Sequence, residues 1–320
     1  MNETRMFADE VAGGIVKYFP EDRQMQCQVV ETRKNNNVSR VGISFQEQGS
    51  NISPVIYMEP YRKAAANGRP MDELMREIAE TVFRSREQMQ HVDPMDYGDY
   101  ESVKNYLSVT LVNGKANRQM LSQMPHRQME DLALILELKF PMEEGTGSIK
   151  VNHELAKQWE VNTDVLFEQA ERHAIKTEPA VLQKMEDVLS LLETDGNKTN
   201  NLLDAESPRT PEPGLYVLSN QSKVKGAAVL SYPGVLEKVD QLFPEGFYIL
   251  PSSVHELLVI PKSLEISPRE LGEMVRAINR SEVAKEDQLS DRVYEYDREA
   301  GKIRQVPESV KQKDVREVAR

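Results

Sequence analysis

The chain has 320 residues, 39% of them hydrophobic and 29% charged, with a formal charge of -12 and a mean hydropathy of -0.57. That is chain enough for two packed units, or for one large domain, at a composition near the globular norm. The acidic balance repels phosphate backbones and anionic lipid surfaces, so nucleic acid is an unfavoured partner.

Glu3, Arg5, Asp9 and Glu10 stand where a signal peptide needs an apolar stretch. No later segment approaches the roughly 18 uncharged apolar residues of a membrane helix. The expectation is a soluble, cytoplasmic protein. Phe7, Val11, Ile15, Tyr18 and Phe19 recur at helical spacing and Pro20 follows where that helix should stop. Met25, Cys27 and Val29 alternate with polar residues, Asn35-Asn36-Asn37 supplies turn chemistry, and Val41, Ile43 and Phe45 alternate again, which predicts a β-hairpin. Cys27 is the only cysteine, so an internal disulfide and a cysteine-based zinc cluster are excluded within one chain. A third strand at 54–58 leads through a short helix to Asn67-Gly68. Met71, Leu74, Met75, Ile78 and Val82 then stripe a helix that Pro70 opens.

Strands are predicted at 106–112 and 131–140, the latter the most apolar run in the chain, with a short one at 149–151. Helices follow at 153–160, 164–174 and 179–192, the last striped by Val181, Leu182, Met185, Val188 and Leu192. Residues 195–213 turn to Asn, Asp, Ser, Thr and Pro, which predicts a linker or long loop. Beyond it come strands at 215–218 and 227–231, a helix at 233–243, and strands at 247–250 and 256–260. Ser267-Pro268-Arg269-Glu270 joins a capping box to a proline at the first helical position, a specific helix start. A hairpin around Ala300-Gly301 precedes a solvated tail. The fold class is therefore α+β with mostly antiparallel strands, divided as an N-terminal domain 1–194, a linker 195–213, a C-terminal domain 214–306 and a tail 307–320.

Chemistry is densest in Ile249-Leu250-Pro251-Ser252-Ser253-Val254-His255-Glu256. A hydrolase would use Ser252 or Ser253 as nucleophile and His255 as base, which requires contact at about 3 Å. Side chains two residues apart on a strand stand roughly 7 Å apart, so a bend would be needed. No Gly-x-Ser-x-Gly elbow surrounds either serine. The bland reading is that both serines bond a turn backbone and His255 pairs a polar neighbour. His153-Glu154 begins a His-Glu-x-x-His pattern, but position 157 is Lys. His91, His126 and His173 show no mutual ligand spacing, and neighbouring acids such as Glu143-Glu144 point apart. No glycine-rich phosphate loop occurs. Neither a metal nor a cofactor is implied.

Three stretches carry a resemblance: Asn51-Ile52-Ser53-Pro54-Val55-Ile56-Tyr57, Tyr232-Pro233-Gly234-Val235-Leu236, and residues 247–256. Together they resemble an uncharacterised bacterial family, a domain of unknown function met in gut anaerobes and commonly near mobile genetic elements. The resemblance covers most of residues 1–305 and implies a cytoplasmic bacterial accessory protein, with no assigned catalytic residues to carry over. It nominates Tyr232, Ser252, Ser253, His255 and Glu256 as candidates, Tyr232 for binding. The expected function is non-catalytic recognition of a protein or peptide partner. The alternatives are a hydrolase built on His255 with Ser252 or Ser253, and a nucleic-acid accessory factor, which would need a basic stripe.

Overall fold

The computed structural model describes residues 3–20, 23–50, 53–89, 95–141, 146–193, 201–204, 211–251 and 253–307. By contacts the chain divides into two units, Met1–Val103 with Lys139–Ile149, and Lys104–Leu138 with Lys150–Arg320.

In the first unit α1 (Glu3–Gly14) buries Phe7, Ala8 and Val11, the residues spaced for one helical face, and a 3-10 turn adds Ile15. β1 (Met25–Arg33) and β2 (Ser39–Glu47) pair antiparallel with Cys27 opposite Phe45 and Val29 opposite Ile43. The turn between them places Asn36 and Asn37 at φ 57° and 56°, a conformation that asparagine tolerates. β3 (Val55–Tyr57) completes the sheet β1-β2-β3. After α2 (Glu59–Ala66), α3 (Met71–Met89) lays Leu74, Ile78 and Val82 onto Val41, Ile43 and Phe45, all buried in one core. α4 (Tyr100–Val103) follows.

The second unit begins with β4 (Leu107–Asn113), α5 (Arg118–Leu121), β5 (His126–Met129) and β6 (Leu132–Pro141), in sheet order β4-β6-β5. The most apolar run of the sequence is thus the middle strand. β7 (Thr146–Lys150) pairs with β6; the end of β6 from Lys139 and Thr146–Ile149 of β7 belong to the first unit. Asn152 and Asn162 cap α6 (His153–Gln158) and α7 (Thr163–Thr177) by accepting from the backbone N–H groups of Leu155 and Asp164. Then come β8 (Ala180–Lys184), α8 (Met185–Glu193), β9 (Tyr216–Asn220), α9 (Val235–Leu242), β10 (Phe247–Leu250), β11 (Leu257–Pro261), α10 (Pro268–Ser281), β12 (Tyr294–Asp297) and β13 (Lys302–Gln305). Their strands form a six-stranded sheet, β13-β12-β10-β11-β9-β8, antiparallel at every pairing. The protein is α+β.

Two of the expected elements take another form. The helix expected over 179–192 begins as strand β8, because its first residues pair with β9 at Val181↔Ser219 and Leu182↔Leu218, a partner that local periodicity does not register. The strand expected over 227–231 is a 3-10 helix, Gly226–Ser231; short apolar runs suit either form. The segment 195–213 was expected to separate two domains, yet β8 and β9 on its two sides are sheet neighbours within one unit. Of that segment 195–200 and 205–210, and of the expected tail 308–320, lie outside the described residues. Asn201 stands beside β8, where its carboxamide accepts from Leu182 N–H at 3.0 Å and donates to the Ala180 carbonyl at 3.1 Å, so a side chain stands in for a further strand along that sheet edge.

Candidate functional site

The segment after β10 is a crossing between strands. Ser253 makes an isolated antiparallel bridge with Gln288, and its hydroxyl accepts from the backbone N–H of His255 at 3.1 Å. The neighbouring backbone is tied on both sides. Val254 N–H donates to the Asp287 carbonyl at 2.7 Å, and the Val254 carbonyl accepts from Ala227 N–H at 3.1 Å. The His255 carbonyl accepts from the Ser219 hydroxyl at 2.7 Å.

The ring nitrogens of His255 have other partners than Ser253. Nδ1 accepts from Lys225 N–H at 3.3 Å, which assigns the proton of the neutral ring to Nε2. Nε2 faces Asp287 Oδ1 at 3.5 Å. A nucleophile–base pair needs a hydroxyl on one of those nitrogens. The contact between Ser253 and His255 runs through the His255 backbone N–H. Glu256 is half-buried beside them, and Ser252 lies outside the described residues, as do His91 and the Glu143-Glu144 pair. Among the described residues no group of three or more His, Cys, Asp or Glu side chains gathers in metal-ligating geometry.

Beneath this crossing lies an ion pair. Lys225, at φ 52°, starts the 3-10 helix Gly226–Ser231, and its Nζ stands 2.5 Å from Oε2 of Glu137 on β6. The Glu137 side chain is 1% exposed and also accepts from the Thr110 hydroxyl at 2.9 Å. A carboxylate so buried requires such partners. Gly226 follows because nothing larger fits: a Cβ there would stand 2.6 Å from the His255 carbonyl oxygen and 2.7 Å from Asn220 N. Lys225 thus reaches β6 with its side chain and His255 with its backbone.

Tyr232 lies at the end of that 3-10 helix and is buried. Burial pushes its phenol well above the ordinary tyrosine range, and the nearby carboxylates of Glu178 and Glu171 add to the effect. It lines a cavity of about 290 Å³. One wall is Arg127, Gln128 and Met129 of β5, the last strand of its sheet; another is Gly301, Lys302 and Ile303 at β13, the last strand of the other sheet. Pro233, Gly234 and Leu236, leading into α9, join Glu171 of α7 in closing it. Burial raises the Glu171 carboxyl, and Arg127 at 3.4 Å opposes that shift. Arg127 also lies over the Phe167 ring, 4.5 Å from its centroid. Among the described residues each of these two strands has a single sheet partner, and together they frame a cavity of mixed polarity.

Sequence reasoning nominated Tyr232 but missed Arg127, Glu171, Lys225, Asp287 and Glu137. Glu137 carried a readable signal, since it stands between Leu136 and Leu138 in the most apolar run and a charge there demands a partner. The others are assembled only by folding. A model of one protein family, described as a family of unknown function (DUF5688), matches residues 4–298. No curated protein matches the chain, and no solved structure does.

Proposed function

This chain belongs to the family of unknown function DUF5688, and from that premise we propose that it works by recognition, as a non-catalytic bacterial accessory protein of the cytoplasm that binds an extended segment of a partner polypeptide. What carries the reading is the Tyr232 cavity, framed by the outermost strands of two sheets. An outermost strand offers backbone N–H and C=O groups to an added strand, and adjacent pockets select its side chains. The contrast with β8 supports this choice of edge, because Asn201 already occupies the Leu182 N–H and the Ala180 carbonyl there. The directions of the His255 nitrogens favour binding over turnover, since neither meets the Ser253 hydroxyl.

The test is amide hydrogen exchange with a partner captured from native lysate. Binding slows exchange in β5 or β13 and leaves β8 unchanged. Protection confined to other elements, or a partner that binds a Tyr232→Ala, Lys302→Glu double variant as tightly as the wild type, overturns the reading.

A further inference from the structure

The free side of β5 faces two cavities, one on each face of its sheet. In the pairing with β6, Arg127 stands opposite Leu134 and Met129 opposite Leu132, whereas His126 stands opposite Ile135 and Gln128 opposite Ala133. Residues directly opposite point to the same face and successive residues to opposite faces. Arg127 and Met129 line the Tyr232 cavity. His126 lines a second cavity of about 600 Å³, together with Leu121 of α5, and Gln128 touches both.

The second cavity differs in charge. Lys115 and Arg118 stand on its rim, both exposed, and among the described residues neither is held in an ion pair. Its acids are Glu130, exposed at the β5–β6 turn, and Asp131. The Asp131 carboxylate is already engaged by the Tyr294 hydroxyl, by the Ser290 hydroxyl at 3.0 Å and by the Gln305 amide at 3.0 Å. In a chain of net charge -12, Lys115 and Arg118 bring this lining to formal neutrality against Glu130 and Asp131, and they are its groups open to a carboxylate.

We infer that the bound segment alternates apolar and acidic residues: laid along the free side of β5, it directs apolar side chains to the Tyr232 cavity and carboxylates to Lys115 and Arg118. The inference rests on the strand-addition reading above and adds the chemical class of the partner. A strand turns successive side chains to opposite faces, so one register serves both cavities at once.

The probes are fluorescein-labelled octapeptides that repeat Val-Glu, Val-Gln or Val-Lys, titrated by anisotropy into the full chain, with amide exchange followed on β5. Val-Glu is expected to bind about tenfold more tightly than its isosteric Val-Gln control, the equivalent of two partly exposed ion pairs, and to weaken as salt is raised. Lys115→Glu with Arg118→Glu should turn the preference toward Val-Lys while leaving Val-Gln unchanged. Both positions are exposed, and an unaltered thermal melt of that variant, or of the milder Lys115→Gln, Arg118→Gln pair, verifies its fold. Equal binding of Val-Glu and Val-Gln with β5 protected overturns the inference and keeps the strand-addition reading. Absence of β5 protection with every peptide overturns both.

Discussion

Glu137 and Lys225 illustrate how much one pair of atoms can govern. The carboxylate is 1% exposed and its ammonium partner 28%, so removing the partner leaves a charge that water cannot reach. Lys225→Met is expected to cost about 3 to 5 kcal/mol in urea unfolding. Adding Glu137→Gln, which keeps an acceptor for Thr110, should recover most of that loss; a double variant no more stable than the single one would show that the pair is not the cause. Glu295 on β12 behaves differently. Burial works to raise its carboxyl, but Lys262 at 2.6 Å and Arg304 at 2.8 Å outweigh it and hold it below the usual range. A lowered folded-state value adds stability above the unfolded carboxylate range near about pH 4.3, and that stability is lost as pH falls through the folded value. The urea midpoint of Glu295→Gln should therefore lie below wild type at pH 6 and converge on it as pH falls below the carboxylate range. At this scale the sequence was only partly legible. Ser253 and His255 were visible as a cluster, but the direction of each imidazole nitrogen depends on Lys225 and Asp287, which are distant in sequence and meet it only after folding.

At the scale of elements, what could be read was what is local. The capping box before α10 forms as the motif requires: Ser267 accepts from Glu270 N–H at 3.3 Å, and the Glu270 carboxylate accepts from Ser267 N–H at 3.0 Å. Ser267→Ala should cost about 1 kcal/mol, measured by chemical denaturation, with helix content at 25 °C unchanged. The β1–β2 hairpin and the stripe of α3 were equally plain, because turn residues and periodicity lie within one window of sequence. β8 was not, since Val181, Leu182 and Met185 satisfy a helical pattern and only β9 decides otherwise. β5 escaped for a related reason. Its four residues include a single apolar side chain, Met129, so alternation had almost nothing to act on.

For the molecule as a whole, both units are assembled from two stretches of chain. The rings of Tyr97 and Phe140 pack edge to face at 6.3 Å within the first unit, although they come from different stretches. A fragment starting at residue 150 lacks β4, β5 and β6 and leaves Lys225 without Glu137. It should show no cooperative thermal transition by circular dichroism. A fragment starting at 104 retains the second unit entire and should melt cooperatively, but with stronger binding of an apolar dye, because Phe140 has lost Tyr97. A sharp transition in the 150–320 fragment would refute this division. The boundary expected at 195–213 came from composition, which registers polar loops well and is blind to a sheet that continues across one.

The Glu137–Lys225 pair also sets a timetable for biosynthesis. The two residues are 88 positions apart, an interval of about 4 to 18 s at ordinary ribosomal speeds. Asp131 waits longer still for Tyr294, 163 positions downstream. Until Lys225 is made, Glu137 on β6 is without its ammonium partner while its apolar neighbours are already outside the exit tunnel. Nascent chains of this protein should therefore be clients of holding chaperones until Lys225 has been translated.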